Sequence, residues 1–289
     1  MMITEKRTAA VSGAGGYLGT VIVDRLCSDG WATLRLSRAQ KGKDWRRFIL
    51  GLPVAPGLLE GVDLLVHCAY DMRLRAPADI WRVNVDGSRR LLEAACNAGV
   101  GRVIVVSSMS AFEGTAQLYG RAKLEIEAHA KAFGALSVRP GLVYGPRAGG
   151  MAGTLARLSR LPVVPLVAGR AYQFTVHEDD FAQAIAALAL TEQVILGPVG
   201  VANPVPVPFR TVLERFARDQ MRRCRFVPVD WRLVRAVLVL GEKLSMPLPV
   251  RSDSLLGLVE PPASVPNLEL LEALGVRLRR FGQPVPPSG

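Results

Sequence analysis

Short apolar runs alternate with amphipathic segments through the first half of the chain. The apolar runs predict strands, and their near-continuous hydrophobicity is typical of strands buried on both faces. The predicted strands are Thr8–Ser12, Ala32–Leu36, Val62–Cys68 and Val103–Ser107, and the predicted helices are Tyr17–Cys27, Ile80–Asn97 and Leu118–Phe133. This alternation is the pattern of βαβ units, so we expect an α/β fold with a doubly wound parallel sheet.

The pattern becomes irregular after residue 139, and a proline-dense stretch spans Pro198–Pro208. Helical spacing returns beyond it, at Phe209–Met221, Trp231–Leu244 and Asn267–Leu274. We therefore predict a large domain over residues 1–170, to which residues 171–195 return. A smaller C-terminal lobe, mainly substrate-binding, is predicted over residues 196–289.

Length and composition are those of an ordinary globular protein, with 289 residues of which 49% are hydrophobic and 21% charged. The net charge is nevertheless +11, with 36 Lys and Arg against 25 Asp and Glu. This excess has two interpretations, attraction of an anionic small-molecule substrate or a solvated Arg-rich surface. Basic residues are not interleaved with aromatic residues and no recognition motif is visible, so we expect no nucleic-acid partner.

Neither a targeting segment nor a metal site is predicted. The stretch Met1–Arg7 is polar, and the apolar run Ala236–Leu240 is too short to span a bilayer. We therefore expect a cytoplasmic protein with no membrane partner. The four cysteines and three histidines show no ligand spacing, so we predict free thiols and no metal.

A glycine pattern follows the first predicted strand and opens the first predicted helix. Gly13, Gly16 and Gly19 recur at every third position, with Tyr17 and Leu18 between the last two. Glycines permit a tight turn and the close approach of a pyrophosphate, which then faces the free N–H groups of the helix. The large domain is therefore predicted to bind a dinucleotide through this loop.

The end of the second strand discriminates between the two nicotinamide cofactors. An acidic residue there would bind the ribose 2′-hydroxyl of NAD, whereas an Arg accommodates the 2′-phosphate of NADP. The sequence carries Arg38 at this point and no acid before Asp44. This favours NADP, with NAD kept open because Arg38 can also be an ordinary surface residue.

Tyr119 and Lys123 lie four residues apart in a predicted helix, and hence on one face of it. An ammonium beside a phenol stabilises the phenolate, which lets the tyrosine act as a general acid or base near neutral pH. Together with the glycine loop, this pair predicts hydride chemistry.

Seven segments, in the same order, resemble those of the extended short-chain dehydrogenases/reductases of the NAD-dependent epimerase/dehydratase family. They are Ser12–Gly19, Asp63–Ala69, Asn84–Ser88, Ser107–Ser108, Tyr119–Lys123, Val138–Pro146 and Val176–Asp180. The resemblance covers most of the chain. It implies a Rossmann-type fold with the cofactor at the carboxyl ends of the strands.

The resemblance also implies roles for individual residues. Tyr119 would exchange a proton with the substrate oxygen, while Lys123 would hold the nicotinamide ribose and lower the pKa of the tyrosine. Ser108 would hydrogen-bond the same substrate oxygen, with Ser110 as the alternative. Further cofactor contacts are expected from Ala69, Tyr70, Asn84 and Pro140, and contacts to a substrate phosphate from Arg147 and Arg251.

Reduction, oxidation or epimerisation is the predicted reaction. Related 4,6-dehydratases carry an Asp-Glu pair after the catalytic hydroxyl, and here Met109-Ser110-Ala111 stands in its place. A nucleotide-sugar-like substrate is predicted, because the Arg-rich second lobe suits a diphosphate. The alternatives are an NADPH-dependent reductase of an apolar ketone, similar to hydroxysteroid or flavonoid reductases, and a dinucleotide-sensing protein without turnover. The resemblance further implies a homodimer formed by helices Ile80–Asn97 and Leu118–Phe133.

Overall fold

The computed structural model describes residues 7–147, 149–167, 171–244, 246 and 251–283. Its strands are β1 (Thr8–Ser12), β2 (Ala32–Ser37), β3 (Trp45–Arg47), β4 (Leu64–His67), β5 (Arg102–Val106), β6 (Leu136–Pro140), β7 (Leu142–Tyr144), β8 (Val163–Leu166), β9 (Tyr172–Gln173), β10 (Thr175–His177), β11 (Val199–Val201), β12 (Val207–Pro208) and β13 (Arg225–Pro228). Its α-helices are α1 (Tyr17–Ser28), α2 (Pro77–Ile80), α3 (Asp86–Asn97), α4 (Leu118–Ala132), α5 (Gly150–Leu158), α6 (Glu178–Leu190), α7 (Phe209–Asp219), α8 (Trp231–Lys243), α9 (Ser252–Val259) and α10 (Leu268–Ala273). Residues 1–6, 168–170 and 284–289, which fall within the predicted domain ranges, lie outside the described residues.

Seven parallel strands form the central sheet, in the order β11-β6-β5-β4-β1-β2-β3. The chain runs outward from β1 to β3 and then crosses to β4 on the other side of β1. The connections that leave the carboxyl ends of β1 and β4 therefore diverge, and a crevice opens at this switch point. The prediction of a doubly wound parallel sheet is confirmed.

Apolar side chains on both faces of the sheet explain why these runs form strands. Strand β4 is buried along its whole length, and β1 is buried after its first residue. Helices α1 and α6 cover one face, where Ile22, Leu26 and Phe181 pack on the strands. Helices α3 and α4 cover the other face, with Leu91 and Ile126 buried there. Full burial of each such side chain contributes about 1.5–3 kcal/mol to folding.

The predicted helix Ile80–Asn97 is helical throughout but contains a π-helical turn. It starts within α2, passes through a π-helical turn at Trp81–Val85 and continues as α3. The π turn carries Asn84, which is fully buried and whose Oδ1 accepts a hydrogen bond from the backbone N–H of Asp71 at 2.7 Å. The spacing of apolar residues does not reveal such a turn. A π turn is defined by its backbone hydrogen bonds, and this one also depends on the partners of one polar side chain.

The irregular part of the chain assembles a smaller lobe beside the crevice. Three two-stranded ribbons pair β7 with β10, β9 with β12 and β8 with β13. The apolar core of this lobe joins α5 to α7 through Leu155, Val212 and Leu213. The last third of the chain contributes to the large domain as well as to the smaller lobe. Strand β11 pairs with β6 in the central sheet, and Leu271 of α10 is buried in the main core. The predicted domain limits remain a prediction.

No helix in the part of the chain that the structure describes is long and apolar enough to cross a membrane. Within the same residues, no group of three His, Cys, Asp or Glu side chains is arranged to hold a metal ion.

Candidate active site

The glycine loop between β1 and α1 lies at the switch point of the sheet. Gly13 has a φ of +70°, and a Cβ there would lie 2.9 Å from the backbone nitrogen of Ala69. A Cβ on Gly19 would collide with the carbonyl oxygen of Gly13. Only glycine fits these two positions, so the turn can close against β4. Helix α1 begins at Tyr17 with no side-chain cap on its first N–H groups, which suits a dinucleotide pyrophosphate.

Tyr17 joins the start of α1 to α6. Its hydroxyl donates to Glu178 Oε2 at 2.7 Å, and burial, together with this carboxylate, raises the pKa of the phenol. Arg147 binds the same carboxylate at 3.1 Å and also pairs with Asp24. The guanidinium predicted to meet a substrate phosphate is therefore already paired with two carboxylates.

The outer part of the crevice contains a guanidinium and a carboxylate. Arg38 follows β2 directly and is exposed. Two hydrogen bonds from the Arg73 guanidinium are the main reason that the pKa of Asp71 is lowered to about 2, and the charge of Arg38 adds to this effect. Sequence reasoning missed Asp71, because this residue follows β4 and not β2.

Ser12 connects the ends of β1 and β4. Its Oγ accepts hydrogen bonds from the backbone N–H groups of Cys68 and Ala69, at 3.1 and 3.2 Å. The same oxygen lies 2.6 Å from Nδ1 of His67. These hydrogen bonds of Ser12 fix the backbone just before Tyr70, at the base of the crevice.

His67 extends this hydrogen-bond chain to the π turn. Its Nε2 lies 2.8 Å from Ser88 Oγ, and the Ser88 hydroxyl donates to the carbonyl of Asn84. Because that proton is used, Ser88 must accept from Nε2–H, so Nδ1 accepts from Ser12. Burial, aided by the charge of Lys123, lowers the pKa of His67 to about 3 and keeps the imidazole neutral.

Tyr119 and Lys123 form an aromatic–ammonium cluster with Tyr70. The two tyrosine rings meet edge to face with their centroids 5.1 Å apart. Lys123 Nζ lies 4.8 Å from the Tyr70 centroid and 5.9 Å from the Tyr119 centroid. It also donates a hydrogen bond to the carbonyl of Val106 at 2.8 Å. The cluster directs the phenol of Tyr119 and the ammonium of Lys123 toward the carboxyl end of β5.

Burial shifts the pKa values of Tyr119 and Lys123 in the directions that favour the neutral phenol and the neutral amine. It raises the pKa of Tyr119 to about 12, an effect that Ser108 partly opposes. The expected lowering of this pKa by Lys123 is therefore wrong for the protein without bound cofactor and substrate, because burial of the phenol outweighs it. Burial lowers the pKa of Lys123 to about 8, against the opposing influence of Cys68 and Glu127. At neutral pH the phenol keeps its proton and the ammonium keeps its charge, which is the state required for proton donation by a tyrosine.

Three serines follow β5, and they have different surroundings. Ser107 donates to Glu127 Oε1 at 2.5 Å, and Arg139 holds the same carboxylate with two hydrogen bonds. Ser108 and Ser110 both line the cavity described below. Ser108 Oγ accepts from the backbone N–H of Ser110 at 3.1 Å, so its own proton is available to a substrate oxygen.

Helix α4 is capped at its N-terminus by a residue of the smaller lobe, which we also call the second lobe. The N-cap residue Gln117 makes no side-chain hydrogen bond to the first turn. Asp253 of α9 accepts instead from the backbone N–H of Leu118 at 2.7 Å and from that of Tyr119 at 3.2 Å. The turn that carries Tyr119 is therefore fixed by a residue that no local motif in the sequence identifies.

A cavity of about 400 Å³ lies between the glycine loop, α4 and α9. The predicted site residues that line it are Gly13, Gly16, Tyr17, Leu18, Gly19, Tyr70, Ser108, Ser110, Tyr119, Lys123, Pro140 and Arg251. Arg38, Ala69, Asn84 and Arg147 lie outside this lining. Its apolar wall includes Met72, Leu74, Ile80, Leu142, Met151, Phe174, Leu258, Pro261 and Pro262. The residues suited to proton transfer thus open onto a largely hydrocarbon surface.

Within the described part of the chain, three polar side chains of the lining have buried atoms with no hydrogen-bond partner. These atoms are Gln117 Oε1, Gln173 Nε2 and Arg251 Nε. An unpaired buried donor or acceptor costs about 1–3 kcal/mol, so these atoms are positions at which a ligand or a water molecule can supply the missing partner. The two glutamines were not predicted, because an isolated glutamine in a sequence carries no signal of its own.

Residues 9–196 match the NAD dependent epimerase/dehydratase family. The chain belongs to this family. The protein is 32% identical over 214 residues to the ceramide reductase of Caulobacter vibrioides, a match that covers 70% of this chain and 67% of that protein. It is 28% identical over 248 residues to the human decarboxylating sterol-4-alpha-carboxylate 3-dehydrogenase, and the match covers 73% of this chain and 66% of that enzyme.

The fold is also that of solved structures. MoeE5 in complex with UDP-glucuronic acid and NAD superposes with a TM-score of 0.71 at 20% identity, over 94% of both chains. A likeness at this identity concerns the fold alone.

Proposed function

We propose that this protein is an NAD(P)-dependent reductase or dehydrogenase that acts on a carbonyl or hydroxyl group of an apolar, lipid-like substrate. The observation that carries the proposal is the apolar wall of the cavity onto which Tyr119 opens. Such a wall stabilises hydrocarbon, whereas the hydroxyl groups of a sugar would lose water there without gaining partners.

The sequence relatives support a lipid-like substrate. By their names, the Caulobacter relative reduces ceramide and the human relative oxidises a sterol carboxylate, and both substrates are lipids. The unpaired atoms of Gln117, Gln173 and Arg251 would then bind the few polar groups that such a molecule carries. An amide or hydroxyl next to the reacting carbon offers the matching donor and acceptor.

The reaction follows from the side chains around Tyr119. The glycine loop, with Gly13, Gly16 and Gly19, would hold a dinucleotide whose chemistry would be to supply a hydride to the carbonyl carbon or to accept one from the carbinol. During reduction, Tyr119 donates its phenolic proton to the carbonyl oxygen, and during oxidation it takes that proton back. The buried ammonium of Lys123 stabilises the phenolate, and Ser108 hydrogen-bonds the substrate oxygen in both forms.

NADP is the dinucleotide that we infer for this site. Arg38 follows β2 and is exposed, as a contact to a 2′-phosphate requires, whereas the carboxylate of Asp71, whose pKa the charge of Arg38 helps to lower, is bound by Arg73. The pyrophosphate would lie at the glycine loop, against the backbone of Tyr17 and Leu18.

A nucleotide sugar is the second candidate substrate. It is favoured by Arg251, a cationic side chain of the cavity wall whose Nη1 donates to the carbonyl of Leu74 and whose Nε has no partner among the described residues. The pairing of Arg147 with Asp24 and Glu178 weighs against it, because a diphosphate would have to compete with two carboxylates. A sensor without turnover is disfavoured, because both Tyr119 and Lys123 are retained.

The test is a turnover assay with purified protein. NADPH or NADH would be mixed with a 3-keto ceramide or 3-keto sterol in detergent, and separately with UDP-glucose or UDP-N-acetylglucosamine. We expect oxidation of NADPH with a keto lipid, lost in Tyr119→Phe. Epimerisation of a UDP-sugar by protein that retains NAD, with no reduction of either lipid, would overturn the proposal.

A further inference from the structure

Helix α8 exposes a continuous apolar stripe. Leu233, Val237, Leu240 and the C-cap residue Leu244 are 59–67% exposed. At the helical turn of about 100° per residue, these four side chains fall within an arc of about 60°. In contrast, the helix contributes a single fully buried residue, Gly241, to the protein interior. We call these four residues the α8 stripe.

Cationic side chains accompany the α8 stripe. Arg232 and Lys243 lie on one side of it, about 80–100° around the helix, and both are exposed. From Arg218 to Lys243 the chain has seven Lys and Arg against three Asp and Glu.

The three acidic residues of this segment are already engaged with the protein. Asp219 pairs with Arg215, Asp230 caps α8, and Glu242 accepts two hydrogen bonds from Ser252. The donors to Asp230 and Glu242 are uncharged, so these carboxylates keep their charge, and seven cations against three acids leave the segment with an excess of four positive charges that complements an anionic surface.

An exposed apolar stripe with flanking cations is the pattern of a helix that lies in the interface of a membrane. The 13 residues of α8 are too few to span a bilayer, so the helix would lie parallel to the surface. A second copy of the chain fits less well, because it would bring two sets of uncompensated cations together. The dimer predicted from family resemblance also uses α3 and α4 rather than α8.

We propose that the α8 stripe and its flanking cations dock this protein on the surface of an anionic phospholipid bilayer. This replaces the expectation of no membrane partner, which rested on the lack of a spanning segment, because docking on a surface requires none. Helix α8 packs against α9, and Ser252 at the start of α9 is bound by Glu242 of α8. Helix α9 in turn contributes Asp253, Gly257 and Leu258 to the cavity wall. Docking brings that wall close to the lipid phase. The docking is independent of the reaction, and only its use, access to a lipid substrate, rests on the proposed function.

The test is co-flotation of the full chain with vesicles of phosphatidylcholine alone and with vesicles that also contain phosphatidylglycerol. We expect binding to the anionic vesicles, weakening as salt is raised, and at least about a tenfold loss in the double variant Val237→Asp/Leu240→Asp. The matched control is Val194→Asp/Leu196→Asp, which changes two side chains that are 89% and 83% exposed in a loop outside α8. It should bind like the wild type.

Two results would overturn the proposal. One is equal binding of the α8 variant and the wild type to anionic vesicles. The other is that the wild type does not bind vesicles and that sedimentation gives a lower mass for the α8 variant than for the wild type. This would make the α8 stripe an interface between copies of the chain. Reduction of a water-soluble short-chain ketone by the same variants distinguishes this proposal from the proposed function. Activity there should be unchanged, whatever the vesicles show.

Discussion

The carboxylate of Asp253 binds the backbone N–H of Tyr119, at 3.2 Å, and so attaches the second lobe to the helix that carries the proposed proton donor. The same carboxylate binds the N–H of Leu118 at 2.7 Å. A helix cap is usually supplied by the residue that precedes the helix, but here it comes from a distant part of the chain. Formation of the second lobe and orientation of Tyr119 are therefore coupled.

Replacing Asp253 with Ala should lower both stability and turnover. Two N–H groups of α4 would lose their acceptor, which costs about 1–2 kcal/mol of unfolding free energy. Because Tyr119 lies in that turn, kcat should fall while the Kd of the dinucleotide stays the same. Denaturant unfolding and steady-state kinetics measure these effects. Asp253→Asn keeps one acceptor, so its unfolding free energy and kcat should lie between those of the wild type and Asp253→Ala. Wild-type values of both quantities in Asp253→Ala would refute the coupling.

Removing the Tyr119 hydroxyl should abolish most of the activity. In Tyr119→Phe the proton donor is absent while the edge-to-face contact with Tyr70 is kept, so kcat should fall about 100- to 10,000-fold. Tyr70→Phe is the matched control, because it removes a hydroxyl from the other ring of the same pair. A similar loss in both variants would contradict the assignment, because the ring packing is kept in each and the Tyr119 hydroxyl would then matter no more than that of Tyr70.

Lys123 should make stability rise with pH in the alkaline range. Its pKa is about 8 in the folded protein and 10.5 as its ordinary value, so between these the unfolded chain binds the additional proton. The unfolding free energy therefore gains a contribution as pH rises through that window. Urea unfolding at about pH 7 and pH 9.5 should show this gain in the wild type and not in Lys123→Met. Lys131→Met, an exposed change on the same helix, should retain it.

His67 should make the protein sensitive to acid. The folded protein keeps this imidazole neutral down to about pH 3, whereas its ordinary pKa is 6.5, so the unfolded chain binds the proton first. Stability should therefore fall as pH drops below 6.5 toward 3. His67→Gln should be less stable at neutral pH but show a shallower loss in acid, measured by thermal unfolding. His129→Gln controls for removal of a histidine, and an unchanged slope in His67→Gln would contradict the buried hydrogen-bond chain.

Sequence patterns predicted the parts of the fold that depend on local periodicity. The apolar run Thr8–Ser12 is β1 as predicted, and the helix predicted at Leu118–Phe133 is α4, one residue shorter at its end. The predicted helix at Trp231–Leu244 is likewise α8, again one residue shorter. These elements are specified by spacing of apolar residues, which a single sequence displays directly.

Features that depend on distant parts of the chain were not predictable. The cap on α4 comes from Asp253, and the orphan atoms of Gln117 and Gln173 meet only in the folded cavity. Arg147 was predicted as a phosphate contact because it follows a family motif, yet its partners Asp24 and Glu178 come from two other helices. Its role in substrate binding stays a prediction.

The most direct test of the central claim is to follow the hydride itself. Purified protein would be incubated with NADPH deuterated at the nicotinamide C4 and with a 3-keto ceramide or 3-keto sterol, and the lipid product examined by mass spectrometry. We expect one deuterium at the new carbinol carbon with the wild type, and at least about 100-fold slower labelling with Tyr119→Phe. Deuterium that never enters the lipid, or enters it equally in both proteins, would contradict the central claim.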